Sequence, residues 1–168
     1  SVNRAVDAMG GDNAPAEIVK GAVEAIEKTR DMKIFLVGKE DAVRAELAKY
    51  TYDPDRIEVV HASEVIEMAE PRVMAVRTKK DSSLVRCMYM VKEGKCDALV
   101  TAGSTGAFLV GGQIIVGRIK GGERQPLAPF IPTIDGRCLL LDCGANVDAR
   151  PSQLVQFAKI GSAYVKKA

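Results

Sequence analysis

The chain has 168 residues, of which 47% are hydrophobic and 27% charged, enough apolar material for one packed core and too much for a disordered segment. Its net charge is only +2 and acidic and basic residues interleave, so nucleic-acid binding is not expected. The cysteines Cys87, Cys96, Cys138 and Cys143 form no CxxC pair and His61 is the only histidine, so reduced thiols are expected rather than a zinc site, a disulfide framework or any cofactor.

Short runs of Val, Ile and Leu alternate with stretches of helical period, the pattern of βαβ units around a largely parallel sheet. In chain order, a strand at 5–8 leads into a helix at 15–29, with Pro15 suited to a first helical turn. A strand at 33–37, a helix at 41–49 and a strand at 57–61 follow, then a helix at 82–93 and a strand at 98–101. The helix expected at 105–118 is apolar nearly all round, which predicts burial in the middle of the protein or in a subunit interface, and Gly111, Gly112 and Gly117 suggest close approach of a neighbouring backbone. The Gly- and Pro-rich stretch 118–137 reads as a loop or edge-strand excursion. A strand at 138–142 and a helix at 151–166, opened by Pro151, complete the pattern. Leu139, Leu140 and Leu141, like Ala98, Leu99 and Val100, look like parallel strands buried on both faces. One domain over 1–168 is expected. No signal peptide is recognised, and no stretch is long enough to span a bilayer.

Three turns could carry chemistry. The first, Asp7-Ala-Met-Gly-Gly-Asp-Asn-Ala-Pro15, passes from strand to helix through Gly10 and Gly11, with Asp12 and Asn13 beside them. Such a turn aims backbone N–H groups at an anion, or Asp12 or Asn13 simply caps the helix. The second, Thr101-Ala-Gly-Ser-Thr-Gly106, places Gly103, Ser104, Thr105 and Gly106 where a helix begins, a geometry that gathers N–H donors around one phosphate. It is neither a Walker A loop nor a GxGxxG fingerprint, and an ordinary Ser/Thr cap explains it equally. The third, Leu141-Asp-Cys-Gly-Ala-Asn-Val-Asp148, offers Asp142 and Asn146 as polar groups for a substrate or as an Asx turn. Ligands of open α/β sheets gather outside the carboxyl ends of strands, so the coincidence of three such turns is the signal.

The basic stretch Arg72, Arg77, Lys79, Lys80 and Arg86 is either a solvated helix face or a landing patch for an acidic partner. His61 is read as structural, and Cys143 has no base beside it in sequence, which argues against nucleophilic catalysis.

Five segments taken together, VDAMGGDNAP at 6–15, VRTKKDSS at 76–83, TAGSTGA at 101–107, IVGRIKG at 115–121 and LLDCGANVD at 140–148, closely resemble the bacterial PlsX family of phosphate:acyl-acyl-carrier-protein acyltransferases. The resemblance implies a three-layer α/β/α sandwich of the isocitrate dehydrogenase-like, phosphotransacetylase-like kind. It also implies a homodimer that transfers a long acyl chain from the thioester of acyl carrier protein to inorganic phosphate, making acyl phosphate for phospholipid synthesis. On this reading Gly103, Ser104, Thr105 and Gly106 cradle phosphate, Asp142 and Asn146 are catalytic, and Asp7, Gly10, Gly11, Asp12 and Asn13 form the crevice rim. Arg72, Arg77, Lys79, Lys80 and Arg86 dock the carrier protein. The location implied is cytoplasmic, with peripheral association at the inner face of the membrane. Members of the family are roughly twice as long as a single domain of this size, so the chain reads as an N-terminal half. Two other readings share the cradle: acyl transfer with coenzyme A, and a non-enzymatic phosphate- or acyl-phosphate-binding module.

Overall fold

The strand most clearly marked in the sequence is β2, Met32–Gly38, whose side chains are apolar on both faces. Ile34 and Leu36 enter a core with Val19, Val23, Ile26 and Val43, whereas Phe35 and Val37 enter another with Ala62, Cys87 and Met90. A strand buried on both faces must lie inside a sheet covered by helices above and below. In the computed structural model, which describes residues 1–146 and 148–167, β2 pairs in parallel with β1 (Val2–Asp7) and with β3 (Ile57–His61). β1 pairs in parallel with β4 (Ala98–Val100), giving the order β3-β2-β1-β4. Helices α1 (Ala16–Lys28) and α2 (Glu40–Leu47) supply one core and α4 (Ser83–Lys92) the other, so the fold is the expected α/β/α sandwich on a parallel sheet. Val19, Leu36, Val37 and Val43 are fully buried, each contributing about 1.5–3 kcal/mol relative to exposure. Arg56 ties the end of α1 to the start of β2, donating to the carbonyls of Ile26 and Thr29 at 2.7 Å and of Met32 at 3.0 Å.

The internal contacts gather into two compact units, Ser1–Gly117 and Arg118–Ala168. The first holds the four-stranded sheet. It also contains a helix that periodicity did not reveal, α3 (Arg72–Thr78), and α5 (Thr105–Gly111), which runs on into a π-helical turn, Gly112–Val116. Two expectations are corrected here. β4 is an edge strand with Val100 53% exposed, so its apolar sequence does not mean burial on both faces. Within the apolar 105–118 segment, Ala107 and Ile115 enter a core with Val76 and Met88, and Ile114 and Val116 are exposed on this chain. What approaches Gly111 is the Met88 side chain rather than a backbone, and Gly117, at φ +98°, ends the helix.

In the second unit β5 (Phe130–Thr133) and β6 (Gly136–Leu139) form an antiparallel hairpin, followed by α6 (Pro151–Val165). The strand expected at 138–142 is thereby corrected, since it ends at Leu139 and belongs to this hairpin. The run of leucines has a period-2 explanation. Leu139 and Leu141 pack against Gly161 of α6, and Leu140, pointing the other way, is exposed. Pro151 opens α6 as anticipated, and Gln153 Oε1 accepts the Arg150 N–H at 2.9 Å. Among the described residues no helix is long and apolar enough to cross a membrane.

Candidate functional site

From β1 the chain builds outward through β2 to β3 and then returns to lay β4 on the opposite side of β1. The carboxyl ends of β1 and β4 therefore flank a reversal of strand order, the position at which open α/β sheets form a ligand crevice. The first two glycine turns leave these two strands and meet backbone to backbone. A methyl group on Gly10 would lie 2.7 Å from Asp7 Oδ2, 2.9 Å from the Gly103 nitrogen and 2.9 Å from Thr101 Oγ1. One on Gly103 would lie 3.3 Å from the Gly10 Cα, and one on Gly11 3.1 Å from the Ala102 carbonyl oxygen. Gly11 also needs its φ of +104°, a conformation that side chains resist.

Beneath these turns lies Asp7, read from sequence as part of a rim but only 3% exposed. Its carboxylate accepts from Ser83 Oγ at 2.6 Å, Thr101 Oγ1 at 2.8 Å and the Met9 N–H at 3.2 Å. Thr101 Oγ1 in turn accepts the Gly103 N–H at 3.0 Å. Ser104 caps α5, accepting the Ala107 N–H at 3.2 Å, and is buried. Thr105 is exposed and Gly106 partly so, and the N–H groups at these first two helical positions have no partner within the helix. Over Gly106 lies the Arg72 side chain, whose Nε is 2.6 Å from where a β-carbon would be. Arg72 thus stands beside the opening of α5, a placement that a sequence separation of 34 positions hides. Asp12 and Asn13 are exposed, and α1 has no side-chain cap, its first turn being entered through Pro15.

The basic stretch is heterogeneous. Lys79 is paired with Glu70 at 2.5 Å and donates to the Val65 carbonyl at 2.8 Å, and this contact holds the Glu70 carboxyl below its usual range. Arg86 is paired with Asp81. Asp81 also accepts from the Ser63 hydroxyl and N–H; the hydroxyl, then the N–H, then Arg86 bring its pKa down to about 2. A carboxyl lowered by folding stabilises the fold only while ionised. The contribution is complete above about pH 4 and vanishes as the pH falls toward about 2. Asp81→Asn is therefore expected to flatten the loss of urea resistance between those pH values relative to the unmodified protein; an equal slope in both would show that this contact does not set acid stability. Arg72, Arg77 and Lys80 are exposed, with no ion pair among the described residues.

Asp142 and Asn146 belong to the second unit. Asn146 donates to Asp142 Oδ1 at 2.8 Å, and its own carbonyl accepts from Arg124 at 2.8 Å. Asp142 has a φ of +61°, a strained region for a side-chain-bearing residue, better tolerated by Asp than by most. Arg124, which sequence reading did not single out, orients the Asn146 amide. Val147 of the same turn lies outside the described residues. His61 Nδ1 accepts the Glu40 N–H at the start of α2. Cys87 is buried, and burial drives its thiol well above the ordinary range, the opposite of an activated nucleophile. Among the described residues no three His, Cys, Asp or Glu side chains converge to hold a metal ion.

Solved phosphotransacetylases share this α/β fold. A phosphotransacetylase from Streptococcus pyogenes superposes with a TM-score of 0.62 at 18% identity, over 94% of this chain and 51% of that one. Another, from Staphylococcus aureus, gives 0.63 at 21% identity, over the same shares. At such identities the likeness is one of fold. A family model described as fatty acid synthesis protein matches residues 2–168. A phosphate acyltransferase from Clostridium beijerinckii is 52% identical over 163 residues, 97% of this chain and 49% of that protein. The chain belongs to this family, the PlsX family, and spans about half the length of the curated relatives it matches.

Proposed function

We propose that the chain forms the N-terminal half of an enzyme that transfers a long fatty acyl group from the thioester of acyl carrier protein to inorganic phosphate, releasing acyl phosphate for phospholipid synthesis. One observation carries the reading beyond family membership: at the strand-order reversal, the backbones of Gly10 and Gly103 meet below the opening of α5, with Arg72 beside it. In this reading the Thr105 and Gly106 N–H groups and the Arg72 guanidinium hold the phosphate. Gly103 and Ser104 shape its seat, the first by close packing and the second by capping α5. Gly10 and Gly11 form the wall behind, with Asp12 and Asn13 at the rim.

The chemistry asks little of the protein beyond position and charge. A phosphate oxygen attacks the thioester carbon, the carbonyl oxygen becomes an oxyanion, and collapse breaks the C–S bond to release the carrier thiolate, which takes up a proton. Phosphate is the nucleophile, so no covalent serine or cysteine intermediate is needed. Asp142 and Asn146 are assigned the catalytic polar groups of the second unit, their orientation held by Arg124.

Acyl carrier protein is acidic, and Arg77 and Lys80 offer unpaired positive charge beside the exposed apolar side chains Val73 and Met74 of α3. Lys79 and Arg86 are assigned to holding that surface in shape. The family resemblance supports a cytoplasmic homodimer in peripheral contact with the inner face of the membrane. The test is acyl phosphate formation by the full-length protein, with acyl carrier protein and coenzyme A thioesters compared. Turnover of the carrier thioester supports the reading; preference for coenzyme A, or phosphate binding without turnover, contradicts it. Reversing charge with Arg77→Glu and Lys80→Glu together is expected to slow the carrier reaction roughly tenfold at low salt, to reduce its salt sensitivity and to spare the coenzyme A thioester. Unchanged rates would remove this surface from the account.

A further inference from the structure

Building on the phosphate seat proposed above, we infer that Asp7, acting through Thr101, is a positioning residue: the direction of the hydrogen bonds running from Gly103 through Thr101 to Asp7 sets the conformation of the 101–106 turn and hence its affinity for phosphate. A carboxylate only accepts hydrogen bonds. The single proton of the Thr101 hydroxyl is therefore committed to Asp7 Oδ2 at 2.8 Å, leaving its lone pairs to receive the Gly103 N–H at 3.0 Å. The other carboxylate oxygen is filled by Ser83 Oγ and the Met9 N–H. One buried side chain thus fastens together the turn after β1, the first residue of α4 and the turn after β4. The Gly103 N–H is committed to Thr101, whereas the Thr105 and Gly106 N–H groups, at the first helical positions, have no partner within the helix. A β-carbon on Gly10 would fall within 3.0 Å of Asp7 Oδ2, Thr101 Oγ1 and the Gly103 nitrogen, so the glycine backbone packs closely over this chain of hydrogen bonds.

The polarity of the chain makes the inference testable. In Asp7→Asn, an amide nitrogen replaces one acceptor. Facing Thr101, it donates to the hydroxyl and competes with Gly103; facing the other way, it meets the Met9 N–H donor to donor. Thr101→Val leaves the Gly103 N–H without an acceptor, whereas Thr101→Ser keeps the hydroxyl. The experiment measures acyl phosphate formation by the full-length protein with inorganic phosphate and acyl thioester varied separately, and the folded fraction of each variant by thermal melting. Asp7→Asn and Thr101→Val are expected to raise KM for phosphate roughly tenfold while KM for the thioester stays within about twofold, as loss of one buried hydrogen-bond partner implies. Thr101→Ser is expected to keep the original phosphate KM. Equal losses toward both substrates in proportion to unfolded protein, or a Thr101→Ser variant as impaired as Thr101→Val, would overturn the inference. If the unmodified full-length protein makes no acyl phosphate, it is the proposed activity that fails, and the positioning role falls with it.

Discussion

Gly10→Ala is expected to cost roughly 2–3 kcal/mol of stability, while the chemically identical change Gly21→Ala is expected to stabilise by up to about 1 kcal/mol. Neighbourhood alone separates them. The added carbon at Gly10 falls within 3.0 Å of three atoms, one a backbone nitrogen and two belonging to hydrogen-bonded side chains. None is the free end of a flexible chain, so relief requires the turns after β1 and β4 to separate. At Gly21, inside α1, nothing lies within 4 Å of the new carbon, and only the gain in helix propensity remains. Urea unfolding of the two variants under one set of conditions makes the comparison. A Gly10→Ala protein as resistant as the original would mean that the two turns do not meet as described.

The second large effect is expected at Gly106 and concerns ligand rather than fold. A valine there would displace the Arg72 stem, which now crosses the bare glycine, and would stand before the first N–H groups of α5. Because Arg72 is exposed, the displacement should cost little stability. Phosphate would lose a charge-assisted contact, worth about 1.5–3 kcal/mol. Gly106→Val is therefore expected to raise KM for phosphate by roughly ten- to a hundredfold, with thioester KM little changed. Arg72→Ala should follow it in direction. Steady-state kinetics of the full-length protein with each substrate varied in turn would check both, and phosphate kinetics indifferent to Gly106→Val would remove the seat from α5.

How much of this was legible in the sequence depended on whether the information was local. The alternation of apolar runs with helical periods places β2, β3 and α4 close to where they lie, since the burial that shapes them is written in their own side chains, but it overlaps only part of β1, which runs Val2–Asp7 rather than 5–8. The leucines at 139–141 misled because a strand buried on both faces and a hairpin strand with one face on α6 have the same composition; only the packing of Leu139 and Leu141 at Gly161 tells them apart. Gly10 and Gly103 stand out in the sequence, but that they touch each other follows from the order in which the strands assemble. Asp7 shows the limit most clearly. The apolar neighbours Val6 and Ala8 hint at burial, but its role is not written locally, because its partners Ser83 and Thr101 are 76 and 94 positions away. A hydroxyl-bearing residue at the end of each neighbouring segment was the available clue, and it has no meaning until the sheet order is known. The basic stretch was legible as charge, whereas the assignment of Lys79 to Glu70 and of Arg86 to Asp81 depended on the fold around it.

A crystal structure of the full-length protein grown with inorganic phosphate tests the central claim most directly. Phosphate oxygens should lie within hydrogen-bonding distance of the Thr105 and Gly106 nitrogens, with the Arg72 guanidinium turned toward them. Phosphate bound elsewhere, with the opening of α5 covered by side chains, would contradict it.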